Sequence, residues 1–290
     1  PGGGTVKAQA TCFGAGTIVN AIATGKGAAF GLALRATAYA KSVPEAEGLR
    51  IQVAGGIDPA LAAGCARRVL RRSRRKASLA VEVDSEIPVS RGLKSSSAVA
   101  NAVVLASARA LEFELEPLQI INLGIEAALE ARVTVTGAFD DACASFFGGV
   151  VVTDNAARKI VKADRFAPGL LAVVQIPKRA ITKSSLAETD FASVRPQVDE
   201  AFRLALAGDY FHALELNSAA YAPLLDIDEA PVKRARAAGA MAAGITGTGP
   251  AILALAKPSR VEAVSEALRD AESEIRLASL NTIESREVVP

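Results

Sequence analysis

The sequence has a single histidine and only three cysteines among its 290 residues. With only His212 available, Ser-His-Asp triads and histidine-based metal sites have almost nothing to build on. Three cysteines cannot all pair with one another. Because Cys12, Cys65 and Cys143 each stand among apolar residues, we expect reduced thiols in the core of a cytoplasmic protein.

A strong net charge is also missing. The formal net charge is +2, and aromatic residues make up only 4% of the chain. Neither value is typical of a nucleic-acid-binding protein. No apolar run approaches the roughly 18 residues that a membrane-spanning helix needs, and the first residues show no signal-peptide pattern. We therefore expect a cytoplasmic protein, a monomer or a homodimer, with neither a nucleic acid nor a membrane as its partner.

What the chain does have is apolar residues, which make up 50% of it, enough for a large core. Periodicity predicts short strands in the first part of the chain, at residues 5–13, 17–23, 28–34, 36–40 and 147–154. A polar stretch at 155–164 is interpreted as a hinge. Beyond it strands alternate with helices, one of them predicted at 229–242. The pattern predicts an α+β protein with a boundary between residues 1–158 and 159–290, and the alternation in the second part fits a small α+β sandwich.

The stretch that organises the chain is residues 87–106, IPVSRGLKSSSAVANAVVLA. It is a glycine- and serine-containing loop that leads into an apolar helix. The first turn of a helix has unpaired N–H groups and the positive end of the dipole, so it suits a phosphate. An ordinary serine-capped helix is the alternative, but three serines are more than a cap needs. The candidate phosphate-binding residues are Gly92, Leu93, Lys94, Ser95, Ser96 and Ser97.

Two adjacent acids, Asp140 and Asp141, stand in the Gly- and Ala-rich segment 134–142, TVTGAFDDA. Such a pair is costly to bury unless it ligates something or takes part in chemistry. The alternative is a capped loop rich in aspartate. We therefore take both residues as catalytic candidates.

Two further glycine segments are less specific. Residues 23–27, ATGKG, contain Lys26 but lack the spacing of a Walker A loop, and a hairpin turn is an equal interpretation. Residues 244–250, GITGTGP, precede a predicted strand. Their glycines would let the backbone approach nucleotide phosphates closely, with a hairpin turn as the alternative. The candidates here are Gly247, Thr248 and Gly249.

Together these motifs resemble the kinase superfamily of galactokinase, homoserine kinase, mevalonate kinase and phosphomevalonate kinase. Its phosphate loop usually reads Pro, three variable residues, Gly-Leu-Gly-Ser-Ser-Ala. In this chain Lys94 replaces the third glycine and Ser97 the first alanine. Three segments are most similar in sequence to the archaeal-type shikimate kinase branch: GLKSSSAVANA, TGAFDDACAS and ATGKGAAFGL. The matching phosphate-loop residues are Pro88, Gly92, Leu93, Ser95, Ser96 and Ala98.

The resemblance implies a two-domain small-molecule kinase, with a mixed sheet and helices in the N-terminal domain and an α/β sandwich in the C-terminal domain. It would use ATP and Mg²⁺ to phosphorylate the 3-hydroxyl of shikimate, in chorismate and aromatic amino-acid biosynthesis. Asp140 then matches the catalytic aspartate, and Lys26 lies on a segment that faces the active site. Ser96 and Glu130 would bind magnesium, since a glutamate upstream of the catalytic aspartate has that role in the superfamily. Homoserine kinase remains an alternative. A nucleotide-binding regulator without catalysis is the alternative of a different class.

Overall fold

The computed structural model describes residues 5–134, 136–181, 186 and 189–287. Its first two strands, β1 (Val6–Val19) and β2 (Lys26–Pro44), form one long antiparallel hairpin where the sequence predicts four short strands. Gly16 does not make a turn. A Cβ at this position would lie 2.5 Å from the ring of Phe30, so the glycine lets this ring pack against a continuous strand.

Four more strands complete the first sheet: β3 (Leu49–Val53), β4 (Ala77–Ser85), β5 (Val150–Asp154) and β6 (Lys159–Asp164). The order is β3-β4-β2-β5-β6, with β1 also paired to β2, and the β3–β4 pair is parallel in an otherwise antiparallel sheet. The predicted hinge at 155–164 is wrong, because β6 pairs with β5 in a hairpin. The predicted domain boundary at 158/159 falls inside that hairpin.

Four helices accompany this sheet: α1 (Pro59–Ser73), α2 (Ser95–Ala110), α3 (Pro117–Glu130) and α4 (Phe139–Phe147). Asp58 caps α1 as its local signals predict, by accepting a hydrogen bond from the N–H of Ala60. α2 is buried nearly all round and contacts β1, β2, α1 and α3. The strand predicted at 147–154 begins only at Val150, because α4 continues through Phe147.

The second sheet has the order β10-β7-β9-β8 and is antiparallel throughout. Its strands are β7 (Leu171–Pro177), β8 (Ala242–Ile245), β9 (Ile252–Ala256) and β10 (Ser273–Ser279). The accompanying helices are α5 (Arg195–Ala207), α6 (Tyr210–Tyr221), α7 (Ala230–Ala237) and α8 (Val261–Leu268).

The helix predicted at 229–242 is too long. Gly239 has a φ of +101° just beyond α7, a backbone conformation that ends a helix and that glycine adopts easily. The strand β8 follows within a few residues.

The main hydrophobic core is continuous between the two sheets. α5 packs on β1 and β2 and α6 packs on β1, so the second half of the chain covers the first sheet's hairpin. Phe166 contacts Phe30 edge to face with ring centroids 5.2 Å apart, and Phe166 lies 5.6 Å from Tyr210 on α6. Cys12, Cys65 and Cys143 are buried in this core. Within the described residues, no helix has the length and apolar character to cross a bilayer.

Candidate active site

A cleft of about 480 Å³ opens where the loop before α2, the loop before α4 and the loop between β8 and β9 meet. It brings together the whole predicted phosphate loop, one of the two acids and the third glycine segment. Asp140, Lys26 and Glu130 do not line it. The cleft is lined by segments that include residues 56–58, 88–90, 92–97, 132–134, 137–138, 141 and 247–249.

The N-terminus of α2 points into this cleft without a side-chain cap. Its N-cap is Lys94, and none of the described side chains accepts a hydrogen bond there in the way a capping serine would. Ser95 is buried, whereas Ser96 and Ser97 are half-buried, and all three line the cleft. The first turn therefore keeps N–H groups and the positive end of its dipole available for an anion.

Lys94 has the left-handed backbone conformation that glycine favours, with φ 65° and ψ 31°. This is the position where the superfamily motif has its third glycine. The conformation costs a residue with a side chain roughly 1–2 kcal/mol, so other contacts must hold it. A Cβ on Gly247 would lie only 2.9 Å from the Lys94 ammonium, which places that ammonium against the third glycine segment.

The Lys94 ammonium forms an ion pair with Asp141, with Nζ 3.0 Å from Oδ1. The two side chains are only 7% and 16% exposed. The same carboxylate oxygen has no hydrogen-bond partner among the described residues. Lys94 therefore supplies the compensation for the charge of Asp141, as a buried ionised group requires.

The third glycine segment supports the phosphate loop through hydrogen bonds. The Thr246 hydroxyl donates to the carbonyl of Gly92 at 3.0 Å and accepts from the N–H of Thr17 at 3.2 Å. The N–H of Gly247 donates to the Thr17 hydroxyl at 2.8 Å, and the Asn20 amide donates to the Gly247 carbonyl at 2.9 Å. Sequence reasoning missed Thr17, Asn20 and Thr246. The sequence feature that could have identified them is a polar residue within an otherwise apolar strand or turn.

Asp140 lies behind the cleft and is 4% exposed. The Asn155 amide donates to its Oδ1 at 2.7 Å. Its other oxygen faces Gly27, where a Cβ would approach it to 2.4 Å. Burial, and after it the adjacent Asp141 carboxylate, raise the pKa of Asp140 to about 7. Asp140 can therefore exist in both protonation states near neutrality.

The structure does not bring Lys26 or Glu130 to these groups. The Lys26 ammonium lies 3.7 Å from Asp199 and 5.6 Å from the ring centroid of Phe202, both on α5. Glu130 pairs with Arg68 at 2.5 Å and is largely exposed, and that hydrogen bond lowers the pKa of its carboxyl group. These placements give no support to the catalytic role predicted for Lys26 or the metal-binding role predicted for Glu130.

Two family models match the chain: the GHMP kinases N terminal domain at residues 60–149 and the GHMP kinases C terminal domain at residues 200–274. A shikimate kinase of Methanothrix thermoacetophila is 43% identical over 250 residues, which cover 86% of this chain and 85% of that protein. A shikimate kinase of Methanosarcina acetivorans is 40% identical over 265 residues, covering 91% and 90%.

The same fold is found in the crystal structure of homoserine kinase from Cytophaga hutchinsonii, with a TM-score of 0.79 over 96% of both chains and 17% sequence identity. The chain therefore belongs to the GHMP kinase family. The predicted α+β kinase fold and the motif resemblance to archaeal shikimate kinases are confirmed. The protein is an ATP-dependent small-molecule kinase.

Proposed function

We propose that this kinase transfers the γ-phosphoryl group of ATP to the 3-hydroxyl of shikimate, in aromatic amino-acid biosynthesis in the cytoplasm. The observation that carries the chemistry is a cleft lined by an uncapped helix N-terminus and the Lys94–Asp141 pair, with the buried carboxyl group of Asp140 behind it. Support for the acceptor comes from relatives named shikimate kinase that match most of the chain.

The phosphate groups would be held at the N-terminus of α2. The residues assigned to them are Gly92, Leu93, Lys94, Ser95, Ser96 and Ser97, with Gly247, Thr248 and Gly249 facing them. Backbone N–H groups and the Lys94 ammonium would offset the charge that phosphoryl transfer spreads over the equatorial oxygens. Since Lys94 is already paired with Asp141, binding requires it to share its charge between that carboxylate and the phosphates.

The cleft fits magnesium in the way that nucleotide sites usually hold this ion. Mg²⁺ needs only one or two protein ligands when phosphates and water complete its shell. No group of three acidic, histidine or cysteine side chains is positioned for a metal among the described residues. The Ser96 hydroxyl, which lines the cleft, is the ligand we assign. Bound magnesium would neutralise phosphate charge during transfer.

Asp140 would accept the proton of the shikimate hydroxyl as its oxygen forms the new bond to the γ-phosphorus. The bond that breaks joins that phosphorus to the bridging oxygen, which leaves with ADP. A carboxylate with a pKa near 7 suits this role, because the best general base has a pKa close to the working pH. Since only the ionised form accepts a proton, kcat/KM should rise with pH through about 7.

The substrate assignment is tested by coupled assays with shikimate, homoserine and mevalonate side by side. We expect turnover with shikimate alone. Equal turnover of homoserine would contradict the substrate and leave the kinase class intact.

The role of Asp140 is tested by the Asp140→Asn variant, which keeps shape and volume. We expect kcat to fall by ~10²–10⁴, the usual contribution of a general base, with ATP affinity nearly unchanged. Asp141→Asn is the matched control and should be milder in kcat. The control is informative because Asp141, not Asp140, lines the cleft. If Asp141→Asn is the more damaging change, the two roles are exchanged.

A further inference from the structure

Asp140 is held by one side chain, Asn155, just after the end of β5. The Asn155 Nδ2 group donates to Asp140 Oδ1 at 2.7 Å, and Asn155 Oδ1 accepts from the backbone N–H of Asp140 at 3.2 Å. Both side chains are buried, with residue exposures of 7% for Asn155 and 4% for Asp140. One amide group therefore contacts both the main chain and the carboxylate of the same residue.

The orientation of this amide is fixed by a donor that cannot act as an acceptor, the backbone N–H of Asp140. A backbone N–H can only donate, so the oxygen of Asn155 must face Asp140 N and its NH₂ group must face the carboxylate. The Thr153 hydroxyl donates to the same amide oxygen at 2.7 Å and also lies 3.3 Å from the carbonyl of Gly27. Thr153 thus provides a second contact that favours the same amide orientation.

The donated hydrogen bond acts on the charge of Asp140. Burial and the Asp141 carboxylate raise the pKa of this carboxyl group, while Lys94, the hydrogen bond from Asn155 and the backbone N–H of Asp141 lower it. The remaining titratable neighbours are Tyr221 and Cys143, whose own pKa values are raised mainly by burial, so both stay neutral. Asn155 is consequently the uncharged side chain that favours the ionised form of Asp140, from outside the residues that line the cleft.

We infer that Asn155, oriented by Thr153, is a positioning residue that keeps the Asp140 carboxylate ionised and aimed at the phosphoryl acceptor. This inference rests on the proposed role of Asp140 as the base. Asn155 touches neither the cleft nor the phosphate loop, so its effect on turnover passes through Asp140. It extends the site from the helix that carries the acids to the end of β5.

The test is the pH dependence of kcat/KM for the wild type and the variants Asn155→Leu, Thr153→Val and Thr153→Ser. Leucine has the branched shape of asparagine and neither a donor nor an acceptor. The acid limb of a pH profile is the range in which kcat/KM rises with pH. In Asn155→Leu this limb should move to higher pH by about one unit, which lowers kcat/KM roughly tenfold at pH 6.5 and much less at pH 9. Thr153→Val should shift the limb less in the same direction. Thr153→Ser keeps the hydroxyl and should retain the wild-type limb.

Binding of a non-hydrolysable ATP analogue should be unchanged in all three variants, because neither residue lines the cleft. A purely structural role would lower kcat/KM equally at every pH and leave the limb in place, which would overturn the inference. If Asn155→Leu does not fold, the comparison of Thr153→Val with Thr153→Ser decides: identical limbs in these two variants would also overturn it.

The Asp140→Asn variant separates this inference from the proposed function. If Asp140→Asn loses turnover and the Asn155→Leu limb stays in place, only the role of Asn155 fails. If Asp140→Asn keeps full turnover, the role of Asp140 as the base fails, and the role of Asn155 fails with it.

Discussion

Lys94 offers the sharpest test of how this site differs from the usual motif, because Lys94→Gly restores the superfamily's glycine. The change removes two opposing contributions. It relieves a left-handed conformation that costs a residue with a side chain roughly 1–2 kcal/mol. It also removes the partner of Asp141, and breaking a buried ion pair typically costs ~3–5 kcal/mol. We therefore expect a net loss of roughly 1–4 kcal/mol in the free energy of unfolding.

Lys94→Ala separates the two contributions, since it also removes the ammonium but keeps a Cβ at φ 65°. Alanine stabilises a helix interior relative to glycine, but at this N-cap with positive φ the glycine variant should be the more stable by ~1–2 kcal/mol. Adding Asp141→Asn to Lys94→Gly should recover most of the loss, because the carboxylate left without a partner is then gone. Urea unfolding of the variants measures all these differences.

Nucleotide binding is the functional readout of the same variants. A hydrogen bond to a charged group contributes ~1.5–3 kcal/mol, so Lys94→Gly should weaken binding of a magnesium–ATP analogue by about 10- to 100-fold. Isothermal titration calorimetry measures this change directly. Wild-type affinity in Lys94→Gly would refute the reasoning, since Lys94 would then serve only as the partner of Asp141.

Two further predictions concern the loop and the metal. Gly92→Ala should abolish nucleotide binding and destabilise the fold by ~2–4 kcal/mol, because its Cβ would lie 2.0 Å from the Thr246 carbonyl oxygen. Gly169→Ala, also at positive φ but with no atom within 4 Å, is the control in a thermal melt and should lose less. Ser96→Ala should weaken the magnesium dependence of nucleotide binding, whereas Glu130→Gln should leave it unchanged. The reverse order would favour Glu130 over Ser96 as the metal ligand.

Helix starts could be predicted from the sequence because their signals are local. Asp58 and Pro59 define the start of α1, and Pro117 the start of α3. The long hairpin could not be predicted in the same way. From the sequence Gly16 is expected to be a turn residue. A glycine is needed there because the ring of Phe30 packs against it, and that contact exists only once β1 and β2 have paired.

The same division applies to the site. The phosphate loop and the acid pair are contiguous motifs, and the cleft contains the loop together with Asp141. The roles predicted for Lys26 and Glu130 rest on the resemblance of their positions to a family pattern. Position alone does not fix the direction of a side chain on a strand or at a helix end, because its neighbours in the fold set that direction. Asn155 was missed because its partner is fifteen residues away and meets it only through the packing of α4 on β5.

The distribution of backbone strain explains why the second half of the chain matters to a site whose charges come from the first half. Ser90, Lys94 and Ala138 all have positive φ without being glycine, and all three line the cleft. Such conformations cost of order 1–3 kcal/mol each and persist only where the surroundings over-determine them. At Lys94 those surroundings include Asp141 and the segment of Thr246 and Gly247. Because these contacts lie far apart in the sequence, the shape of the phosphate loop is a property of the assembled fold and cannot be predicted from the loop alone.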